Sequence, residues 1–121
     1  MPWIYQQSTG RLSHDGHVVA TGYAGTGQGR NNPAMQARAS TGPLPRGIYR
    51  IGAPFRHPHA GNYTLRLTPE RGTNMYGRSG MLIHGDSARH PGEASNGCII
   101  MPLNARQQIW GSGDHEVTVI Q

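Results

Sequence analysis

The chain has 121 residues, 35% of them hydrophobic, and a mean hydropathy of −0.59. That suits one domain, residues 1–121, with a modest core. Its net charge is +5 and all 11 basic residues are arginine, scattered without a basic run or aromatic-interleaved patch. Nucleic acid is therefore disfavoured, while an anionic polymer such as a cell wall, or plain solubility, accounts equally for the charge. No apolar run approaches a membrane span, so no membrane insertion is expected. A single cysteine excludes an intrachain disulfide framework. No secretory signal is visible ahead of Trp3, so the chain is expected to be made in the cytoplasm without a signal peptide.

The 18 glycines and nine prolines favour short strands joined by many turns. Residues 3–7 and 17–22 read as strands of an N-terminal meander, with Leu12 and the turn signal Asp15-Gly16 between them. Residues 23–32 read as a glycine-rich loop. It is not a phosphate loop, since no Gly-Lys-Ser/Thr follows, and it suits the flexible rim of a cleft. Asn32-Pro33 offers an N-cap and first turn for a short helix over 33–38. The rigid turn 42–47 leads into a strand at 48–52. A Pro/His-rich loop over 53–61 precedes the alternating strand 63–67. After a loop at 69–79, residues 80–84 form a short buried strand ending at His84. A polar loop, 85–96, then leads to Cys98 and the apolar Ile99-Ile100-Met101. Residues 103–110 form a helix that Gly111 stops, with Leu103, Ile109 and Trp110 available to pack. Residues 117–120 make a closing strand.

The chemistry concentrates between His84 and Cys98. A thiolate, not a thiol, attacks a carbonyl, so a nucleophilic Cys98 needs a base or cationic neighbour. His84 is the best candidate base. Gly97 lets the backbone turn tightly and bare an N–H beside the sulfur, where an oxyanion would develop. Ser95 is placed to bond within the loop. The competing reading is a structural cysteine beside an unrelated histidine.

His84-Gly85, a polar loop, and then Ser95-Asn96-Gly97-Cys98-Ile99 resemble the signature of the L,D-transpeptidase (YkuD-type) catalytic domain. The segment Gly42-Pro43-Leu44-Pro45-Arg46-Gly47-Ile48-Tyr49 is similar to that family's turn and strand upstream of the site. Over residues 3–120 the chain resembles more closely the L,D-transpeptidase-like toxic effectors of bacterial type VI secretion. The matching segments are Trp3 to Leu12, Gly25 to Pro33 and Ile83 to Asp86.

The resemblance implies a mostly-β, compact sandwich or barrel with one or two short helices and no cofactor or metal. It implies that Cys98 attacks the bond after meso-diaminopimelate in a peptidoglycan tetrapeptide stem, releasing D-alanine. His84 would serve as base and acid, and the N–H groups of Gly97 and Cys98 as oxyanion hole. Water would resolve the thioester as an L,D-carboxypeptidase, an amine as an L,D-transpeptidase or D-amino-acid exchanger. The enzyme would act in the periplasm of a target bacterium, with a cognate immunity protein and type VI delivery components as partners.

Two positions depart from the L,D-transpeptidase pattern. Asn96 stands where a histidine is common, and is a candidate to orient His84 through its amide or carbonyl. Ile100 stands where an arginine is common, leaving Arg78 or Arg89 to replace the charge. His90 competes with His84 as base or serves as a third member. Asp86 either binds a substrate amino group or closes an Asx-turn. Tyr23, Tyr49 and Tyr76 are candidates to line a groove, with Tyr49 by default a core residue. His57-Pro58-His59 reads as a loop and not as a metal pair. Two rival functions stand beside the main one: a different thiol cell-wall hydrolase (endopeptidase or amidase), and a non-catalytic peptidoglycan-binding module with an inert Cys98.

Overall fold

A computed structural model describes all 121 residues. Ten strands, β1 (Trp3–Gln6), β2 (Arg11–His14), β3 (His17–Thr21), β4 (Tyr23–Ala24), β5 (Gly47–Ile51), β6 (Phe55–His57), β7 (Gly61–Pro69), β8 (Leu82–His84), β9 (Ile99–Ile100) and β10 (Glu116–Ile120), accompany one helix, α1 (Leu103–Gly111). The main sheet runs β3-β2-β1-β10-β5-β7-β8-β9-β4, with β6 paired to β7 off that path. Only β1–β10 and β8–β9 are parallel.

The two outermost strands, β3 and β4, are consecutive in the chain and separated only by Gly22, so the sheet bends into a nearly closed barrel. The closure is tight. The Gly22 N–H donates to the Gly10 carbonyl at 2.9 Å, and a Cβ on Gly22 would sit 1.7 Å from the Ile100 carbonyl oxygen. No other residue fits where three backbones meet.

Alternation sets the core. Trp3 faces Val117, which faces Tyr49, and Tyr5 faces Val119. Leu65, Ile83 and Ile99 form a second row through the β7–β8–β9 registers. All of these are buried, the period-2 placement expected of a sheet with one apolar face. In the β2–β3 hairpin Asp15 and Gly16 both take positive φ (50° and 81°), as a two-residue hairpin turn between twisted strands requires.

Several sequence expectations change. Tyr23 and Ala24 are a buried strand and not the start of a loop, and Phe55–His57 forms β6 inside the expected 53–61 loop. The helix expected over 33–38 is a single 3-10 turn at Pro33–Met35, with Asn32 accepting the Ala34 N–H as its cap. Gly111 is the last residue of α1 and does not lie beyond it. Leu103 is exposed, whereas Arg106 is buried with Ala105 and Ile109 on the face that meets the sheet.

Candidate active site

The parallel ladder of β8 and β9 places the two candidate reactive groups. Ile83 pairs with Ile99 and His84 with Ile100. Extending that register by one residue sets Cys98 beside Leu82, on the same face as His84 and diagonal to it, with the thiol directed at the Gly80 carbonyl at 3.8 Å. Both residues line a cleft of about 180 Å³ with His57, His59, Leu82 and Asn96. On its other side Cys98 opens into a larger cleft of about 430 Å³, walled by Ser40, Gly77, Arg78, Ser79 and Asn96. The thiol therefore stands between two clefts, only one of which holds His84.

His84 is buried, and its Nδ1 lies 2.8 Å from the Gly85 carbonyl oxygen. A carbonyl only accepts, so Nδ1 carries the proton and donates it, leaving Nε2 with the lone pair a base needs. Burial lowers the His84 pKa below the usual histidine value; the Gly85 carbonyl and Asp86 oppose this, and Arg106 and His57 add to it. Burial likewise pushes the Cys98 thiol up, against the Leu82 N–H, the Arg78 charge and the Cys98 N–H, which favour the thiolate. Both shifts disfavour ions, so the resting pair is neutral thiol and neutral imidazole.

This has a pH signature. Alkylation of Cys98 by iodoacetamide is expected to accelerate continuously from about pH 6 to about pH 9, following the small thiolate fraction. A rate already flat from about pH 5 would indicate a preformed thiolate–imidazolium pair and contradict the neutral resting state.

Ser95 staples the cysteine loop to the sheet. Its buried hydroxyl accepts the N–H groups of Gly25 (2.9 Å) and Gly97 (3.1 Å) and donates to the Cys98 carbonyl (2.5 Å). One donor and two acceptor sites are thereby used in full. Ser95→Ala leaves two buried N–H groups without that acceptor, and is expected to cost about 1–3 kcal/mol, read as a lower urea midpoint at unchanged m-value. An unchanged midpoint would show that Ser95 staples nothing.

The Gly97 N–H is thus committed to Ser95, while the Cys98 N–H donates to no carbonyl and faces its own sulfur. Of the two oxyanion donors the resemblance implies, the Cys98 N–H is free and the Gly97 N–H is engaged.

Arg78 lies beneath the loop that carries Cys98. Its buried guanidinium donates to four main-chain carbonyls: Gln36 (2.6 Å) and Pro43 (2.7 Å) through Nη1, Gly42 (2.9 Å) and Asn96 (3.1 Å) through Nη2. Gly97, at φ 140°, passes directly over it, and a Cβ there would lie 2.4 Å from Nη2. The Asn96 carbonyl therefore serves Arg78, and the carbonyl that orients His84 is that of Gly85. Beneath Gly85, the Arg106 guanidinium donates to the carbonyls of Met101, Asn62 and Tyr63.

Asp86 and His90 share with His84 a further cleft of about 340 Å³ that Cys98 does not line, and the other candidates lie elsewhere. Asp86 accepts from the Tyr23 hydroxyl (2.6 Å) and the Ser87 and Gly92 N–H groups, bracing the loop as an Asx-turn does. Partial desolvation raises its pKa, but those hydrogen bonds outweigh it and hold the carboxyl below its ordinary value. The Tyr23 hydroxyl also accepts the Ala94 N–H, and Arg30 stacks over its ring at 4.3 Å. His90 is exposed, 3.7 Å from Glu93, and Arg89 is exposed; neither lines a Cys98 cleft. Tyr76 is exposed outside both clefts, and Tyr49 is in the core. His57 and His59, read from sequence as loop residues, are walls of the cleft that Cys98 and His84 share.

The fold and this constellation define a mostly-β domain whose cysteine, just ahead of one strand, shares a cleft with a histidine on the adjacent parallel strand. A family model described as the Tlde1 domain matches residues 18–118, and the chain belongs to that family of type VI secretion effectors. No curated protein and no solved structure matches the chain. No helix is long and apolar enough to cross a membrane.

Proposed function

We propose that this effector domain is a cysteine-dependent peptidoglycan enzyme, an L,D-carboxypeptidase and L,D-transpeptidase of tetrapeptide stems. The observation that carries the reading is the cleft shared by Cys98 and His84, with Gly85 fixing the imidazole so that Nε2 is its basic nitrogen.

The steps balance on these groups. Cys98 Sγ attacks the carbonyl of the meso-diaminopimelate–D-alanine bond as His84 Nε2 takes the thiol proton. The tetrahedral oxyanion meets the Cys98 N–H, and the Leu82 N–H steadies the sulfur. The C–N bond breaks, His84 returns the proton to the departing nitrogen, and a thioester remains. Water, deprotonated by His84, releases the tripeptide and restores the thiol, while an incoming amine gives exchange or a cross-link instead. Trimmed stems can no longer serve as donors for wall cross-links. Delivery into a competitor's periplasm, and a cognate immunity protein in the producer, follow from that damage.

Mass spectrometry of wall tetrapeptides incubated with the protein tests this. Loss of one alanine per stem, or its replacement by an added D-amino acid, is expected, and neither with Cys98→Ala. Unchanged tetrapeptides would overturn the reading for this substrate.

A further inference from the structure

The two clefts around Cys98 are chemically unequal, and their difference orients the substrate. His84 must protonate the departing nitrogen, and of the two clefts that Cys98 lines it lines only the smaller, with His57 and His59; the further cleft that His84 shares with Asp86 and His90 does not reach the thiol. If the Cys98–His84 reading holds, the departing residue lies in that cleft of about 180 Å³, and the acyl part of the stem lies in the cleft of about 430 Å³. A departing C-terminal residue carries its carboxylate one bond beyond its Cα, so the smaller cleft has to receive an anion.

His57 is built to donate there. Its Nδ1 accepts the N–H groups of His59 (3.1 Å) and Ala60 (3.0 Å) in the β6–β7 turn. An accepting Nδ1 keeps its lone pair, so the ring hydrogen is on Nε2, at the edge turned away from those bonds. The Phe55 ring, edge-on at 6.0 Å, and the His57–Gly61 pairing hold the imidazole in place. Leu82 and Ala94 supply apolar wall in the same cleft, matching a small methyl side chain beside the anion.

We propose that the His57 Nε2–H hydrogen-bonds the terminal carboxylate of the departing amino acid, making the smaller cleft a subsite for a free C-terminal D-amino acid. His57 is then a specificity residue. It distinguishes a chain end from an internal peptide bond without taking part in the proton transfers. A site built around a hydrogen-bonding partner rejects analogues that lack it, and a charged acceptor makes the stronger bond.

The test compares kcat/KM for the tetrapeptide stem with that for the same stem ending in D-alaninamide. For the wild-type protein the free acid is expected to be preferred by about tenfold or more. His57→Phe should reduce that preference to about twofold, chiefly through a higher KM for the acid. His57→Gln, which keeps a donor near the Nε2 position, should retain most of it. Iodoacetamide alkylation of Cys98 checks that each variant keeps the catalytic pair intact. Equal wild-type cleavage of acid and amide would overturn this inference alone, as would a preference undiminished in His57→Phe. Cleavage of neither substrate by unmodified wild-type protein, a parallel sample of which reacts with iodoacetamide at Cys98, would overturn the carboxypeptidase reading and this inference with it.

Discussion

Replacing Cys98 with alanine is expected to reduce D-alanine release by about 10⁴-fold or more, and His84→Gln by about 10²–10⁴-fold. The two losses should not add. In the neutral resting pair the imidazole has no role apart from the thiol. It acts by taking the thiol proton during attack, returning it to the leaving nitrogen and then deprotonating the water that resolves the thioester, and every one of these steps needs the thiol. The double variant should therefore be no slower than Cys98→Ala. Burial adds to the His84 loss, because a thiol held above its ordinary pKa has little thiolate to fall back on. His90→Ala is the internal control, since His90 is exposed beside Glu93, outside the clefts of Cys98, and turnover should be unchanged. If His90→Ala lost activity and His84→Gln kept it, the base would be misassigned.

On the β scaffold, local pattern is what the sequence makes legible. The alternation Tyr63-Thr64-Leu65-Arg66-Leu67 lies inside β7 and the Asp15-Gly16 signal makes the β2–β3 hairpin, because both are set by residues within a few positions of one another. Tyr23-Ala24 is illegible as a strand because two residues have no period, and its pairing with Ile99-Ile100 joins segments far apart in sequence. Phe55–His57 is hidden by the prolines on either side, which mark a loop unless tertiary pairing overrides them. At the site, the candidate cysteine and histidine are legible and their supports are not. The His84 orienter is a main-chain oxygen, which every residue possesses and no motif advertises. His57 reads as a loop residue because its place in the cleft depends on β6 pairing with β7. Arginine is read as a surface residue by default, so nothing in the composition separates Arg78 and Arg106 from the nine other arginines.

Arg78 is also where the largest loss of stability is expected. Arg78→Met keeps a long apolar stem but removes the donors shared by the carbonyls of Gln36, Gly42, Pro43 and Asn96. Stranding a buried polar network of that size costs about 3–5 kcal/mol, a fall of about 10–20 °C in thermal midpoint for a domain this small. Arg78→Lys should recover less than half of it. An ammonium is a compact point donor, whereas the planar fork sends two bonds from each terminal nitrogen toward the 36–43 segment and the Asn96 turn. The same substitution reaches the chemistry by two routes. Gly97 loses the group over which it is folded, which loosens the turn that carries Cys98. The thiol, already raised by burial, loses one of the influences that oppose that rise, so alkylation at fixed pH should slow even below the unfolding transition. Thermal melts and alkylation rates on one preparation separate these effects. A variant as stable as the wild type would show that the four carbonyls are satisfied some other way. Normal stability with slowed alkylation would leave Arg78 as an electrostatic partner of Cys98 and no longer the post that holds its loop.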